Sequence, residues 1–142
     1  MSEKVLLVDD EKDFLEIMAQ RMEARGLEIT TAESAKQALL VIEKKHFDAI
    51  VMDFQMPGMD GMEALKTIKS KKPELQIILL TGYATVEKTV EAMKAGASDF
   101  LEKPVDINVL TDKIKQASAE KNLQVEQQTE KRIDNILHRF GG

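Results

Sequence analysis

Hydrophobic and polar residues along this chain form short apolar runs that alternate with longer stretches in which apolar residues recur at helical spacing. Five short runs are rich in apolar or β-branched residues and lead into polar or charged ones. Such runs are typical of strands that are buried on both faces of a parallel sheet. The predicted strands are residues 5–8, 27–32, 49–53, 76–81 and 98–101.

Each predicted strand is followed by a predicted helix, whose apolar residues lie three or four positions apart. Asp60 and Asp106 stand where helix N-caps are expected, and Gly26 and Gly96 stand where helices end. The five stripes are Phe14, Ile17, Met18, Met22; Ala35, Ala38, Leu39, Ile42; Met62, Leu65, Ile68; Val86, Val90, Met93; and Val109, Leu110, Ile114, Ala117. This alternation predicts an α/β fold, a doubly wound parallel sheet of five strands with helices on both faces.

The repeating pattern stops near residue 118, which divides the chain into a predicted domain, 1–118, and a polar C-terminal extension, 119–142. Residues 120–132 are mostly Glu, Gln and Lys, a composition that favours helix but offers little to bury. An apolar stripe returns at the end, formed by Ile133, Ile136, Leu137 and Phe140. We expect a helical extension whose last turns meet a partner surface, or else fold back onto the domain or fray.

Composition narrows the class of protein. With 43% hydrophobic and 32% charged residues in a chain of 142, one globular domain with a real core is expected. No apolar run is long enough to span a bilayer, and the first residues do not resemble a signal peptide, so a cytoplasmic protein without membrane contact is expected. The absence of cysteine excludes disulfides and thiolate metal sites, and a net charge of -5 argues against non-specific nucleic-acid binding.

Acidic residues follow the first and third predicted strands. Asp9 and Asp10 end the first, and Asp53 ends the third. Because strands of a parallel sheet end at one edge, these carboxylates are expected to converge if the two strands are neighbours. Three clustered carboxylates repel one another unless a cation offsets their charge, and oxygen ligands without His or Cys favour Mg²⁺. Taken alone, Asp9 and Asp10 would more simply cap the following helix.

Two further strand ends bring partners for a phosphoryl group. Thr81 ends the fourth strand with a hydroxyl, and Lys103 follows the fifth with an ammonium group. A carboxylate nucleophile, a cation and a lysine together suit phosphoryl transfer. Asp53 is the predicted nucleophile because it stands alone at its strand end, whereas the adjacent Asp9 and Asp10 suit metal binding.

These motifs resemble the receiver domain of bacterial two-component response regulators. The resemblance rests on Asp9-Asp10, on Asp53 with the following Met56-Pro57-Gly58-Met59-Asp60-Gly61, on Thr81-Gly82 and on Lys103-Pro104. It covers residues 4 to about 118, and residues 81–104 are most similar to receivers of the nitrogen-regulation type. The resemblance implies a flavodoxin-like (βα)5 fold.

The resemblance also implies a role for each site residue. Asp53 would accept a phosphoryl group from a histidine kinase, a phosphotransfer protein or acetyl phosphate. Asp10, Asp53 and the backbone carbonyl of Gln55 would bind Mg²⁺, with Asp9 acting mainly through water.

Three further features belong to the switch that the resemblance implies. Lys103 would pair with phosphoryl oxygens, and the Lys103-Pro104 peptide bond would be cis. Thr81 would hydrogen-bond the phosphoryl group, and Phe100 matches the family's aromatic switch position. Phosphorylation would then alter a binding face formed by the fourth helix, fifth strand and fifth helix.

The function expected from these features is a phosphorylation-controlled binding switch. Such a domain is not an enzyme beyond its own phosphotransfer and slow autodephosphorylation. Its expected partners are a kinase or phosphotransfer protein, a downstream protein, and a second copy of itself. Two alternatives are the receiver fragment of a DNA-binding transcription regulator and a dimerisation scaffold built on the C-terminal helix. A magnesium-dependent phosphatase is disfavoured because that class carries its nucleophile on the first strand.

Overall fold

The computed structural model describes residues 2–139 and contains five β–α units, with a short two-stranded ladder inserted before the third helix. The strands and helices, in chain order, are β1 (Lys4–Val8), α1 (Lys12–Glu23), β2 (Glu28–Ala32), α2 (Ala35–Lys44), β3 (Ala49–Asp53), β4 (Gln55–Met56), β5 (Met59–Asp60), α3 (Gly61–Lys71), β6 (Gln76–Thr81), α4 (Val86–Lys94), β7 (Asp99–Glu102) and α5 (Ile107–Arg139).

The main sheet has five parallel strands in the order β2-β1-β3-β6-β7. This confirms the predicted doubly wound α/β fold. The order reverses between β1 and β3, where Val8 pairs with Met52. Farther along, Asp53 pairs with Leu80, and Thr81 pairs with Glu102. The carboxyl ends of β1, β3, β6 and β7 therefore lie side by side, which is where ligands bind in sheets of this kind.

Helices cover both faces of the sheet, as the continuous apolar runs predicted. Alternate residues of one strand face opposite cores: Leu6 packs with residues of α2, α3 and α4, whereas Leu7 packs with residues of α1 and α5. All residues of β3 and β6 are buried. The central strands are therefore held rigidly, and the side chains at their ends have fixed positions.

The predicted apolar stripe of α4 does not face the core. Val86, Val90 and Met93 are 83%, 45% and 44% exposed, and the helix buries only Ala92. Ile17 of α1 and Val109 of α5 are also exposed, against the prediction. Helical spacing identifies side chains that share a face, but it does not say whether another element covers that face.

The C-terminal extension is helical up to Arg139, because α5 continues without interruption from Ile107. Ile133, Ile136 and Leu137 are about half exposed, so in this structure they do not pack onto the domain. Phe140, the fourth member of the predicted stripe, lies outside the described residues. Within residues 2–139, no helix combines the length and the apolar character needed to cross a membrane.

Lys121 holds the start of the extension against the domain. Its Nζ donates a hydrogen bond to the carbonyl oxygen of Phe47 at 2.8 Å and lies 3.7 Å from Asp48 Oδ1. Its side chain is 18% exposed, whereas every other residue from 119 to 139 is exposed. Lys121 is thus the last residue of α5, up to Arg139, that is not exposed to solvent.

Replacement of Lys121 by Met should loosen the extension while leaving the domain folded. The carbonyl of Phe47 would lose its donor, at a cost of about 1 kcal/mol. We expect faster amide hydrogen exchange in residues 119–126, measured by mass spectrometry of the full chain. The matched control is Lys131→Met, which removes an exposed lysine farther along α5; equal exchange in both variants would contradict the anchoring role.

Candidate functional site

Three carboxylates meet at the carboxyl edge of β1 and β3. Asp9 follows β1 and is 1% exposed, Asp53 ends β3 and is 6% exposed, and Asp10 is exposed. One carboxylate oxygen from each residue lies within 4.8 Å of the others. The structure therefore brings together the three acids that were predicted from their positions at strand ends. All the potential metal ligands that they offer are oxygen atoms.

Lys103 bridges the two buried acids. Its Nζ is 2.8 Å from Asp9 Oδ2 and 3.4 Å from Asp53 Oδ2, and it lies 4.3 Å from the centroid of the Phe14 ring. The peptide bond to Pro104 is cis, as the resemblance implied. One ammonium group offsets only one of three carboxylates, so the cluster keeps an excess of negative charge that suits a divalent cation.

The pKa values of the pair reflect burial and charge. Burial raises the pKa of Asp53, and this effect outweighs the hydrogen bond from the Gln55 backbone and the positive charge of Lys103. Burial alone would lower the pKa of Lys103, but the hydrogen bond to Asp9 and the negative charge of Asp53 raise it overall. Lys103 is thus firmly protonated at neutral pH, while the charge of Asp53 is incompletely compensated.

Backbone groups orient both buried acids. Asp9 Oδ1 accepts a hydrogen bond from the Glu11 N–H at 2.9 Å, and Asp53 Oδ1 accepts one from the Gln55 N–H at 3.0 Å. In each residue the other oxygen, Oδ2, faces Lys103. The N-cap of α1 is Glu11, which makes no side-chain capping bond. Asp9 is therefore not the N-cap residue of α1, and its Oδ2 contacts the lysine of the cluster.

The segment after Asp53 folds tightly beside the site. β4 and β5 pair as a two-residue antiparallel ladder, with Gly58 between them at φ +88°. Asp60 caps α3 as predicted, because its Oδ1 accepts from the Met62 N–H. A Cβ at Gly61 would clash with the carbonyl oxygen of Phe54, so glycine is needed where α3 begins. The ladder was not predicted, because two paired residues produce no periodic signal.

Thr81 is fully buried at the end of β6, but its hydroxyl group is occupied within its own loop. Oγ1 donates to the carbonyl oxygen of Tyr83 and accepts from the Tyr83 N–H, both at 3.2 Å. The predicted phosphoryl-binding group is thus at the predicted strand end and engaged in a local turn.

Aromatic residues link the site to the neighbouring strand. Phe100 is half-buried on β7, and its ring packs edge-to-face on Phe54 with centroids 5.4 Å apart. Sequence reasoning did not assign a role to Phe54 or Phe14. The position of Phe54, directly after the acid Asp53, is the feature of the sequence that could have indicated its role at the site. Phe14 was assigned only to the apolar stripe of the first helix.

The fold and the site together define a class of protein: a doubly wound α/β domain with an acidic, lysine-paired cluster at the carboxyl edge of its sheet. The family model of the response regulator receiver domain matches residues 5–115. The chain therefore belongs to the response regulator receiver domain family, the signalling domains of two-component systems.

Relatives agree with this assignment. The chain is 38% identical over 112 residues to the response regulator protein FleR of Pseudomonas aeruginosa, covering 79% of this chain and 24% of that protein. It is 36% identical over 126 residues to the C4-dicarboxylate transport transcriptional regulatory protein DctD of the same organism, covering 89% and 27%. The chain thus spans about a quarter of the length of these relatives. Such relatives agree with the predicted nitrogen-regulation subtype.

A solved structure shares the fold. The beryllofluoride-activated NtrC4 receiver domain dimer matches with a TM-score of 0.78 and 35% identity, over 83% of this chain and 98% of that one.

Replacement of Asp53 by Asn should stabilise the protein at pH 7 in the absence of divalent cations. The raised pKa means that folding favours the protonated form of Asp53. The stability that protonated Asp53 contributes is fully present below its pKa in the unfolded chain, about 3.9, and is lost as pH rises through its pKa in the folded protein. We expect a gain of about 1 kcal/mol in the free energy of unfolding at pH 7.

Urea denaturation from pH 8 towards pH 4 measures this effect, with Asp112→Asn on the exposed face of α5 as the control. The advantage of Asp53→Asn should shrink as pH falls and when Mg²⁺ is added. A destabilised Asp53→Asn variant at pH 7 would show that the ion pair with Lys103 outweighs the cost of burial.

Proposed function

We propose that Asp53 is the phosphoacceptor of this receiver domain. A carboxylate oxygen attacks phosphorus, forms the aspartyl P–O bond and displaces the histidine nitrogen of a kinase or phosphotransfer protein, or the acetate of acetyl phosphate. The observation that carries this proposal is the burial of Asp53 beside Lys103, with one oxygen held by the Gln55 N–H. Because its negative charge is incompletely compensated, the Asp53 carboxylate is suited to act as a nucleophile.

The donor set fits Mg²⁺, because three carboxylates cluster without His or Cys. Asp10, Asp53 and the backbone carbonyl of Gln55 would hold the ion directly, with Asp9 acting through water. When bound, the ion supplies positive charge beside the oxygens of the transferring phosphoryl group. Asp9 Oδ2 also lies 2.8 Å from Lys103 Nζ. This contact would position the ammonium group to pair with the oxygens of the transferring phosphoryl group.

Thr81 and Phe100 would convert phosphorylation into a change of surface. The hydroxyl of Thr81 leaves the turn with Tyr83 and donates a hydrogen bond to the phosphoryl group. Phe100, packed against Phe54, then rotates into the vacated space. A local change of charge thereby biases an element with two arrangements. Slow hydrolysis of the aspartyl phosphate returns the domain to its starting state.

The surface that responds would be the face formed by α4, β7 and α5. Exposed apolar residues support this assignment: Val86, Val90 and Met93 lie on α4, and Val109 lies on α5. An apolar patch of this kind is typical of a protein-binding surface. Its partner is a downstream protein, while a histidine kinase supplies the phosphoryl group at the carboxyl edge. Neither contact needs direct nucleic-acid binding by this domain.

A second candidate function is the receiver part of a longer DNA-binding transcription regulator. DctD is by name a transcriptional regulatory protein, and this chain matches only 27% of its length. Residues 1–118 would then be the receiver domain, and the polar helix of 119–142 would connect it to the next domain. The NtrC4 receiver was solved as a dimer, which supports homodimerisation as a further output.

The phosphoacceptor role predicts a single phosphoryl adduct after incubation with acetyl phosphate and Mg²⁺, measured as intact mass. The adduct should be absent in Asp53→Asn and in samples without a divalent cation. Asp10→Asn should slow its formation at least about tenfold, because a direct ligand is removed.

Asp112→Asn, which changes an exposed acid far from the cluster, should behave as wild type. An adduct that persists in Asp53→Asn would refute the choice of nucleophile.

Homodimerisation through the extension predicts a concentration-dependent dimer of the full chain in sedimentation equilibrium. Ile136→Asp should weaken it at least about tenfold, because a charge would enter the apolar stripe of α5. Gln128→Asp adds the same charge outside that stripe and should have little effect. A chain that remains monomeric at all concentrations, with and without phosphorylation, would contradict this output.

A further inference from the structure

Glu102 makes a contact that the proposed mechanism does not use. It is the last residue of β7 and pairs with Thr81 of β6 in the sheet. Its Oε2 accepts a hydrogen bond from the backbone N–H of Ala84 at 3.0 Å. The carboxylate therefore ties the loop of residues 82–85, which follows Thr81, to the neighbouring strand.

Few other contacts hold this loop. Tyr83 is 65% exposed, and α4, which follows the loop, buries only Ala92. The other side-chain hydrogen bonds of the loop run to the elements that adjoin it in sequence: Tyr83 bonds Thr81 at the end of β6, and Thr85 bonds Lys88 and Thr89 of α4. Within residues 2–139, the bond from Ala84 to Glu102 is thus the side-chain hydrogen bond that joins the loop to β7, an element that does not adjoin it in sequence. A segment with so few apolar contacts moves easily when its polar contacts break.

The position of this bond connects it to the switch. For the hydroxyl of Thr81 to donate to a group on Asp53, the bond that it donates to the carbonyl oxygen of Tyr83 must break, because a hydroxyl has a single proton to donate. Tyr83 is directly followed by Ala84, so this rearrangement displaces the N–H that Glu102 holds. Phe100 lies two residues before Glu102 on β7, and residues two apart share one face of a strand.

We propose that Glu102 is a positioning residue that latches the loop of residues 82–85 in the arrangement that turns Thr81 away from Asp53. The latch stabilises the starting arrangement of the loop, so it makes the hydrogen bond between Thr81 and a phosphoryl group on Asp53 less favourable. Because Glu102 is exposed, its bond contributes modestly, and the balance between the two loop arrangements is easily shifted. This inference rests on the proposed function of Asp53 and Thr81.

Variants of Glu102 separate the hydrogen bond from the charge. Glu102→Met keeps the length of the side chain and removes the acceptor, and Glu102→Ala removes it by truncation. Glu102→Gln retains an acceptor oxygen without the charge. Glu91→Met, on the exposed surface of α4, is the matched control. Midpoints of urea denaturation check that each variant folds.

Two measurements test the latch. The first is hydrogen exchange of the Ala84 amide by NMR, without any phosphoryl mimic. The second is the dissociation constant of beryllofluoride in the presence of Mg²⁺. In Glu102→Met and Glu102→Ala we expect the Ala84 amide to exchange about tenfold faster and beryllofluoride to bind about fivefold more tightly. Glu102→Gln should remain nearer to wild type, and Glu91→Met should match wild type.

The outcomes separate this inference from the proposed function. Unchanged exchange of Ala84 in Glu102→Met and Glu102→Ala would overturn the latch. Faster exchange with unchanged or weaker beryllofluoride binding would overturn its opposition to the switch. A wild-type chain that binds no beryllofluoride would instead overturn the proposed function, and with it the link between the latch and phosphorylation.

Discussion

The contact of Lys103 with two buried carboxylates is the interaction on which the rest of the site depends. Asp9 and Asp53 come from neighbouring strands, and their charges would repel in a medium of low dielectric constant without a cation between them. Removal of the lysine would leave both carboxylates without a cation, and such a loss from a buried ion pair typically costs about 3–5 kcal/mol. Lys103 therefore joins the ends of β1, β3 and β7 and keeps the acids close together.

The same contact leaves the site incomplete. One ammonium group compensates one of three carboxylates, and burial still raises the pKa of Asp53. The buried charge of Asp53 thus lowers the stability of the folded domain at the position where a divalent cation and a phosphoryl group are proposed to act. A site that is electrostatically unsatisfied by its own residues favours binding of the charges that complete it.

Rigidity is distributed unevenly around this edge. The strands that carry Asp9 and Asp53 are buried on both faces and are fixed by packing. On the other side, α4 buries only Ala92, and the preceding loop is held by polar contacts such as that between Glu102 and Ala84. A change at the rigid acids can therefore move the loop and α4 at small cost, whereas the strands themselves stay in place.

Apolar strand runs and the residues at strand ends determined the fold class and the acidic cluster, because the central residues of a buried parallel strand are mostly apolar and the chemistry is left to its end. Sequence alone did not determine which helix faces are covered, since Val86 and Val90 have the spacing of core residues yet remain exposed. It also did not reveal the bond from Ala84 to Glu102 or the ring contact of Phe54 with Phe100. Contacts between residues distant in the chain depend on the distances and directions that only the assembled sheet supplies.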